Sequence, residues 1–368
     1  MTGQHRFPPH DLDSRHPVIK MYWNAVYYPN WRVYRQQPPS SLNYDIISHV
    51  FYAFLWVKED GTIYSSDEWA DTQIEVDGTA GCLNSFAAIK KKYQRLRVVL
   101  SIGGGGKGSE TFAEVAKHRA SRERFAQTAK EWVQKYGLDG IDIDWEHPSN
   151  SRQGEDYIRL LAALRAQLPS PYTISSALPA GEWALKHINL AEASSYLDLI
   201  NLMSYDFSGP WVKKCGHHAQ LYTPQDPHSP EAAISCHSAV SYLVRCGVPT
   251  QKILMGVPAY GRSFTGTRGV GHSYSGHAGE EGTFEFKDLP RPGAQEYVDP
   301  HVGAAYCVGG DGGFITYDNP ETVKMKARYV RANCLGGLFY WTGTGDAKDL
   351  QRSLLYNGFV GLHPGHNE

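Results

Sequence analysis

Short apolar runs alternate along the chain with longer stretches in which apolar positions return every three or four residues. The short runs predict buried strands and the longer stretches amphipathic helices. Strands are expected over Ala25–Tyr28, Ile47–Phe54, Leu96–Ile102, Gly140–Trp145, Thr173–Ser176, Leu197–Met203, Ile253–Val257 and Gly336–Trp341. One helix is expected to be capped by Ser121, with Phe125, Ala129, Trp132, Val133 and Tyr136 on one face and Gly137 closing it. Another is expected to start at Asn319-Pro320-Glu321, a capping Asn followed by Pro in the first turn and an acid. This alternation predicts an α/β fold whose parallel sheet is covered by helices. Eight strands predict a closed (β/α)8 TIM barrel. An open doubly wound sheet is the alternative, and no Gly-rich nucleotide fingerprint supports it.

The rhythm breaks over residues 261–316, where Gly, Ser, His, Tyr and Pro dominate. A small α+β insertion domain is expected there, between the seventh and eighth strands. The barrel is then built from residues 21–260 and 317–363. Residues 1–20 are expected to be disordered or loosely packed, and 364–368 to form a tail.

Composition narrows the partners. The net charge of the 368 residues is -2, so there is no basic footprint for nucleic acid. No apolar run is long enough to span a membrane. A polar N-terminus and the lack of an N-x-[ST] sequon suggest a cytoplasmic protein, or a secreted one whose leader has been removed. Six cysteines are present without a C-x-x-C pair, and their number does not decide pairing. The 9 Trp and 23 Tyr suit an aromatic core, and equally a cleft paved with rings that stack on sugars.

The chemistry lies in Asp139-Gly140-Ile141-Asp142-Ile143-Asp144-Trp145-Glu146. Strand side chains alternate, so Asp142, Asp144 and Glu146 share one face and the isoleucines the other. With the isoleucines under the helices, the acids face the barrel axis. Three such carboxylates cannot all ionise comfortably, so at least one pKa must rise. Glu146 comes last and reaches the C-terminal rim, where barrel active sites lie. Three readings fit: a solvated strand end, a site for a hard metal ion, and a general acid with a raised pKa. The third accounts best for acids on a buried strand.

This run resembles the D-G-x-D-x-D-x-E signature of the chitinases of glycoside hydrolase family 18. Ser101-Ile102-Gly103-Gly104 is similar to that family's S-x-G-G motif, and Met203-Ser204-Tyr205-Asp206 to its M-x-Y-D motif. Pro258-Ala259-Tyr260-Gly261-Arg262-Ser263-Phe264 and the terminal Trp341 of the eighth strand also match. The matches run in family order from about Tyr22 to Trp341, and the insert resembles that of the bacterial-type branch that includes many fungal enzymes.

The resemblance implies hydrolysis of chitin or chitooligosaccharides by a monomer that needs no cofactor and no metal. It implies retention of configuration with the substrate's own acetamido group as nucleophile. Glu146 would be the acid and then the base. Asp144 would orient the acetamido N–H, Tyr205 would bond its oxygen, and Asp142 would share a proton with Asp144. The Asp144 carboxylate is expected to raise the pKa of Glu146. Trp341 would floor the site, with Tyr27, Met203, Asp206, Tyr260 and Arg262 lining it, Trp31 stacking further out and Glu296 reaching in from the insert.

The sequence departs from the family at three points. Gly105 stands where relatives often carry a stacking Trp, His147 where a Tyr often follows the acid, and Thr342 where an Asp often follows the last Trp. Weaker binding on the leaving-group side is expected from Gly105. Lys107 is followed by Gly108, which excludes a phosphate loop. The segment Cys215-Gly216-His217-His218 contains zinc-ligand types but has no second pair at finger spacing. Two other functions remain open at this point: a non-catalytic chitin-binding lectin on the same barrel, and an endo-β-N-acetylglucosaminidase acting on glycans.

Overall fold

The computed structural model describes residues 22–365. The expectations for residues 1–20 and for the last three residues lie outside that range. Seven parallel strands run in order around the barrel: β1 (Trp23–Pro29), β2 (His49–Val57), β3 (Arg97–Gly103), β4 (Gly140–Asp144), β5 (Thr173–Pro179), β6 (Leu199–Met203) and β7 (Ile253–Pro258). A second, antiparallel sheet follows: β8 (Tyr260–Phe264), β9 (Thr283–Glu285), β10 (Ala294–Asp299), β11 (Ala304–Gly309) and β12 (Phe314–Tyr317). The eighth barrel strand, β13 (Gly337–Trp341), pairs with both β7 and β1, and β1 pairs with β2, so the barrel closes.

Strand alternation divides the apolar residues into two cores. Ala25, Tyr27, Phe51, Leu254 and Phe339 point to the axis. Val26, Tyr28, Val50, Tyr52, Ile141, Ile143, Leu338 and Tyr340 point outward, under the helices. The same parity places Asp142 and Asp144 on the axis side of β4, since their neighbours Ile141 and Ile143 belong to the outer core.

Helix boundaries show the local code at work. The helix expected to start at Ser121 instead spans Arg119–Tyr136, and its cap position is His118, in an extended conformation. A short helix, Phe112–Lys117, runs up to that residue, so the kink at His118 sets the start and Ser121 is buried in the first turn. Gly137 ends it in the left-handed region, where a side chain would be strained. At Pro320–Ala332 the Asn319 side chain accepts the N–H groups of Glu321 and Thr322, and Thr322 returns a bond to the Asn319 N–H.

The segment between β7 and β13 differs from the α+β expectation. Within residues 261–316 the only helical piece is the 3-10 turn Phe286–Asp288; the rest belongs to the β9-β8-β12-β11-β10 sheet and loops. Frequent Gly and Pro prevent a helix from propagating there. Cys307, Ile315 and Tyr317 pack one face of this sheet into the outer core.

Two buried histidines make stability depend on pH. Burial lowers the pKa of His49, and Arg97 lowers it further, to about 4; burial lowers that of His217 to about 4. Unfolded, each titrates near ~6.5. Between these values the unfolded chain binds more protons, so stability falls as pH drops from 6.5 towards 4, by up to ~3 kcal/mol for each histidine. The melting temperature should decline over that window, and the decline should be smaller in His49→Asn. An equal decline in the variant would assign the effect to other groups.

Candidate active site

The acids stand at the C-terminal end of β4, and their surroundings differ sharply. Asp142 lies deepest. Its register partners on β3 and β5 are Ser101 and Ser175, and both hydroxyls donate to it, at 2.7 and 2.6 Å. The Tyr27 hydroxyl donates at 2.8 Å and Asn201 Nδ2 at 3.3 Å. Burial raises the pKa of Asp142, while these four donors oppose the rise. A carboxylate with every oxygen engaged in this way is suited to carry charge inside a core.

Asp144 has no such support. It is buried, and its Oδ1 has no hydrogen-bond partner among the described residues. Burial, then the charges of Glu146 and Asp142, push its pKa well above the ordinary range. Glu146 opens onto the cleft, yet protein surrounds it on its other sides. Burial and the Asp206 charge raise its pKa, and its hydrogen bond with Asp144 pulls the other way. This corrects one expectation: the groups that raise Glu146 are its enclosure and Asp206, whereas its contact with Asp144 lowers Glu146 and raises Asp144. No hydrogen bond joins Asp142 to Asp144 among the described residues, so the expected sharing between those two is absent from this arrangement.

Two glycines let these strands approach. A Cβ on Gly103 would sit 2.1 Å from the Asp144 carbonyl oxygen, and the Gly104 N–H donates to that same oxygen at 2.9 Å. Their φ values, 116° and 91°, belong to the region that favours glycine. Gly105 is different. A Cβ there would stand 3.4 Å from Glu146 Oε2, beside the acid itself.

Asp206 is fixed from three sides. It accepts hydrogen bonds from the Tyr260 hydroxyl and Arg262 Nε, both at 2.6 Å, and His218 Nδ1 lies 3.4 Å away. Burial pushes the Asp206 carboxyl up, but the nearby His218 and the bond and charge of Arg262 outweigh it and hold the group well below the usual carboxylate range. The cleft therefore sets an acid with a lowered pKa, Asp206, opposite one with a raised pKa, Glu146.

The cavity has two lobes. The first, about 490 Å³, is lined by Tyr27, Gly105, Asp144, Glu146, Met203, Tyr205, Asp206 and Trp341. The second, about 350 Å³, holds Trp31, Tyr260, Arg262 and Thr342, and shares Asp206 and Trp341 with the first. Trp341 packs on Phe54, with ring centroids 5.8 Å apart, and on Tyr27 at 5.4 Å. The Tyr205 hydroxyl makes no hydrogen bond among the described residues. The second lobe is bridged by ion pairs from the turn after β1 to the β8–β9 segment: Arg32 with Glu285, and Arg35 with Glu280 at 2.8 Å.

Glu296 is the sequence-based candidate that the fold does not bring to the cleft. Its carboxylate is taken by Arg352 at 2.9 and 3.0 Å, Tyr317 at 2.6 Å and Asn319 at 3.2 Å, and it lines neither lobe. That set ties the insert to the barrel.

Several cleft residues escaped the sequence reading. Trp183 and Trp211 line the first lobe and are 60% and 58% exposed. Both follow barrel strands closely, β5 and β6, which is a usable signal. His147 packs edge-on against Trp183 at 4.9 Å. The serine donors and Asn201 carry no signature of their own. Cys215, His217 and His218 are buried, and no cluster of three or more His, Cys, Asp or Glu side chains that could hold a metal ion occurs among the described residues.

Comparison with known proteins gives a consistent result. The family model for glycosyl hydrolases family 18 matches residues 24–346. Chitinase 1 of Aphanocladium album is 35% identical, over 92% of this chain and 85% of its own length. Endochitinase 1 of Metarhizium robertsii is 35% identical over 88% of this chain and 82% of its own. Among solved structures, catalytic domain 2 of the Ostrinia furnacalis Group II chitinase superposes with a TM-score of 0.82 at 26% identity, covering 92% of this chain and 95% of that domain.

Proposed function

We propose, from the premise that this chain belongs to glycosyl hydrolases family 18 and is a chitinase, that Glu146 drives a retaining, substrate-assisted cleavage of chitin. The observation that carries the reading is the pairing of a solvent-facing Glu146 with a buried, otherwise unsupported Asp144. Glu146 gives its proton to the glycosidic oxygen as the bond from that oxygen to the anomeric carbon breaks. The substrate's acetamido carbonyl oxygen forms a bond to the same carbon, giving an oxazolinium ion and releasing the leaving sugar. Asp144 accepts the acetamido N–H and faces the developing positive charge. The Tyr205 hydroxyl, free of protein partners, donates to the acetamido oxygen. Water then attacks the anomeric carbon, its proton passes to Glu146, and the oxazolinium ring opens. Both displacements invert, so configuration is retained. The tethered nucleophile needs little further orientation. Asp142, held by four donors, stays in place below the pair. All these groups come from one chain, which suits a monomer.

Retention is tested by incubating the protein briefly with chitotetraose and reading product anomers by NMR. The β-anomer should appear first. Early α-anomer would exclude this mechanism, and no cleavage at all would favour a binding protein. The acid role also fixes a pH effect. Glu146 must be protonated, so kcat/KM holds below its raised pKa and is lost as pH rises through it. Asp206→Asn removes a negative charge that raises that pKa, so the alkaline limb should move to lower pH. An unmoved limb would mean that Asp206 does not act on Glu146.

A further inference from the structure

The loop between β6 and the helix Cys236–Arg245 has two flanks, and only one belongs to the cleft. Trp211, Glu231 and Ile234 line the first lobe, but Asp226, His228 and Ala232 line a separate cavity of about 470 Å³ on the other side. Its size is within the usual range of ligand sites. Glu231 and its chain neighbour Ala232 thus face different cavities, so a ridge one residue wide divides them.

The floor of this cavity is the outward face of the insert sheet. Tyr297 and Tyr306 are direct cross-strand partners with stacked rings, 5.3 Å apart at 22°. Phe314 continues the stack at 5.0 Å and 23°. Val308, on the same face, is 45% exposed and Tyr297 40%. An apolar ring face left wet costs free energy, so a stacked pair with Tyr297 exposed is a surface that a ligand can cover. Among the described residues the other exposed rings are Trp31, Trp183 and Trp211, which line the catalytic cleft, and Tyr34 and Trp69, which line neither of its lobes.

The rim is polar and carries both signs of charge. Arg268 faces the cavity with Asp226 and Asp299, and neither Arg268 nor Asp226 makes an ion pair among the described residues. One guanidinium and two carboxylates put both signs of charge on the rim, a mixture that singles out neither a strongly anionic nor a strongly cationic ligand. They suit a neutral one with hydroxyl and amide groups, since the carboxylates accept O–H and N–H and Arg268 donates to a carbonyl. An apolar ring face beneath those groups matches a pyranose, whose C–H face is apolar and whose edge is polar.

We propose that this face of the insert is a second, non-catalytic binding site for chitooligosaccharide, in which a sugar ring lies on Tyr297 with its acetamido and hydroxyl groups towards Arg268 and Asp226. The ligand class rests on the chitinase reading above. The ridge at Glu231–Ala232 puts this site beside the cleft, so one insoluble particle can engage both.

The test uses the Glu146→Gln protein, which holds oligomers without cutting them, titrated with chitopentaose by calorimetry. Two binding events are expected, and adding Tyr297→Ala or Asp226→Ala should weaken the second by about tenfold or more while the first is unchanged. In the active protein, each of these variants should cleave soluble chitotetraose at the normal rate and release about threefold less product from insoluble chitin. The soluble assay also reports that the variants are folded. A single binding event, or a second one indifferent to both substitutions, would overturn the proposal. Failure of the wild type to cleave chitotetraose would instead overturn the chitinase mechanism.

Discussion

Glu146→Gln should lower kcat on chitotetraose by about 10³-fold, inside the ~10²–10⁴-fold range of a positioned general acid. The amide keeps the size and the hydrogen-bonding edge of the side chain but has no proton to give at neutral pH. The loss therefore falls on the step in which the leaving oxygen takes a proton, and binding should persist. Equilibrium titration with chitotetraose should give a dissociation constant within a few-fold of that for the wild type, which is why the variant serves as a binding probe. Glu146 opens onto the cleft with raised pKa, and the other raised acids of this strand, Asp142 and Asp144, are buried beneath it. Rapid cleavage by the variant would assign the acid role to another residue.

Asp144→Asn should reduce kcat by about 10²–10³-fold, the effect typical of losing one preorganised electrostatic contact with the transition state. The substitution changes charge and little else, because the site is packed: the Asp144 side chain is 3% exposed and backed by β3 at Gly103. An amide can still accept the acetamido N–H through its oxygen, so KM should change little. What it cannot do is face a forming positive charge with a negative one. A kcat/KM loss arising entirely in KM would make Asp144 a binding group rather than a stabiliser of the oxazolinium ion. A variant as active as wild type would remove the substrate-assisted route altogether.

The two substitutions also differ in what surrounds them. Asp206 has Tyr260, Arg262 and the nearby His218 and is stable as an anion, and Asp142 has four donors that oppose the rise burial imposes on its pKa. Asp144 and Glu146 have mainly each other. A proton taken up by that pair is open to substrate at its solvent-facing member, Glu146.

The period of two in Asp142-Ile143-Asp144-Trp145-Glu146 is enough to put three acids on one face, because strand geometry is local. Eight apolar runs separated by helical periodicity are enough for a barrel, since a parallel sheet buried on both sides must read that way. Asn319-Pro320 announced its helix for the same reason: a cap is satisfied within four residues. Ser121 did not behave so, because its helix start was set by a kink at His118, which periodicity does not report. The fate of Glu296 depends on Arg352, which is 56 residues further along the chain.

What the sequence alone determined, then, is the set of local facts: which residues share a strand face, where glycine permits a close approach, and which motifs resemble a known family. The tertiary structure decided what those residues do to one another. Only the closing of β1 on β13 brings Tyr27 to Asp142, 115 positions away. Only the fold of the β6–β7 connection puts His218 beside Asp206, and through Asp206 raises Glu146. A pKa is set by burial and by the nearest charges, and neither quantity exists until distant segments have met.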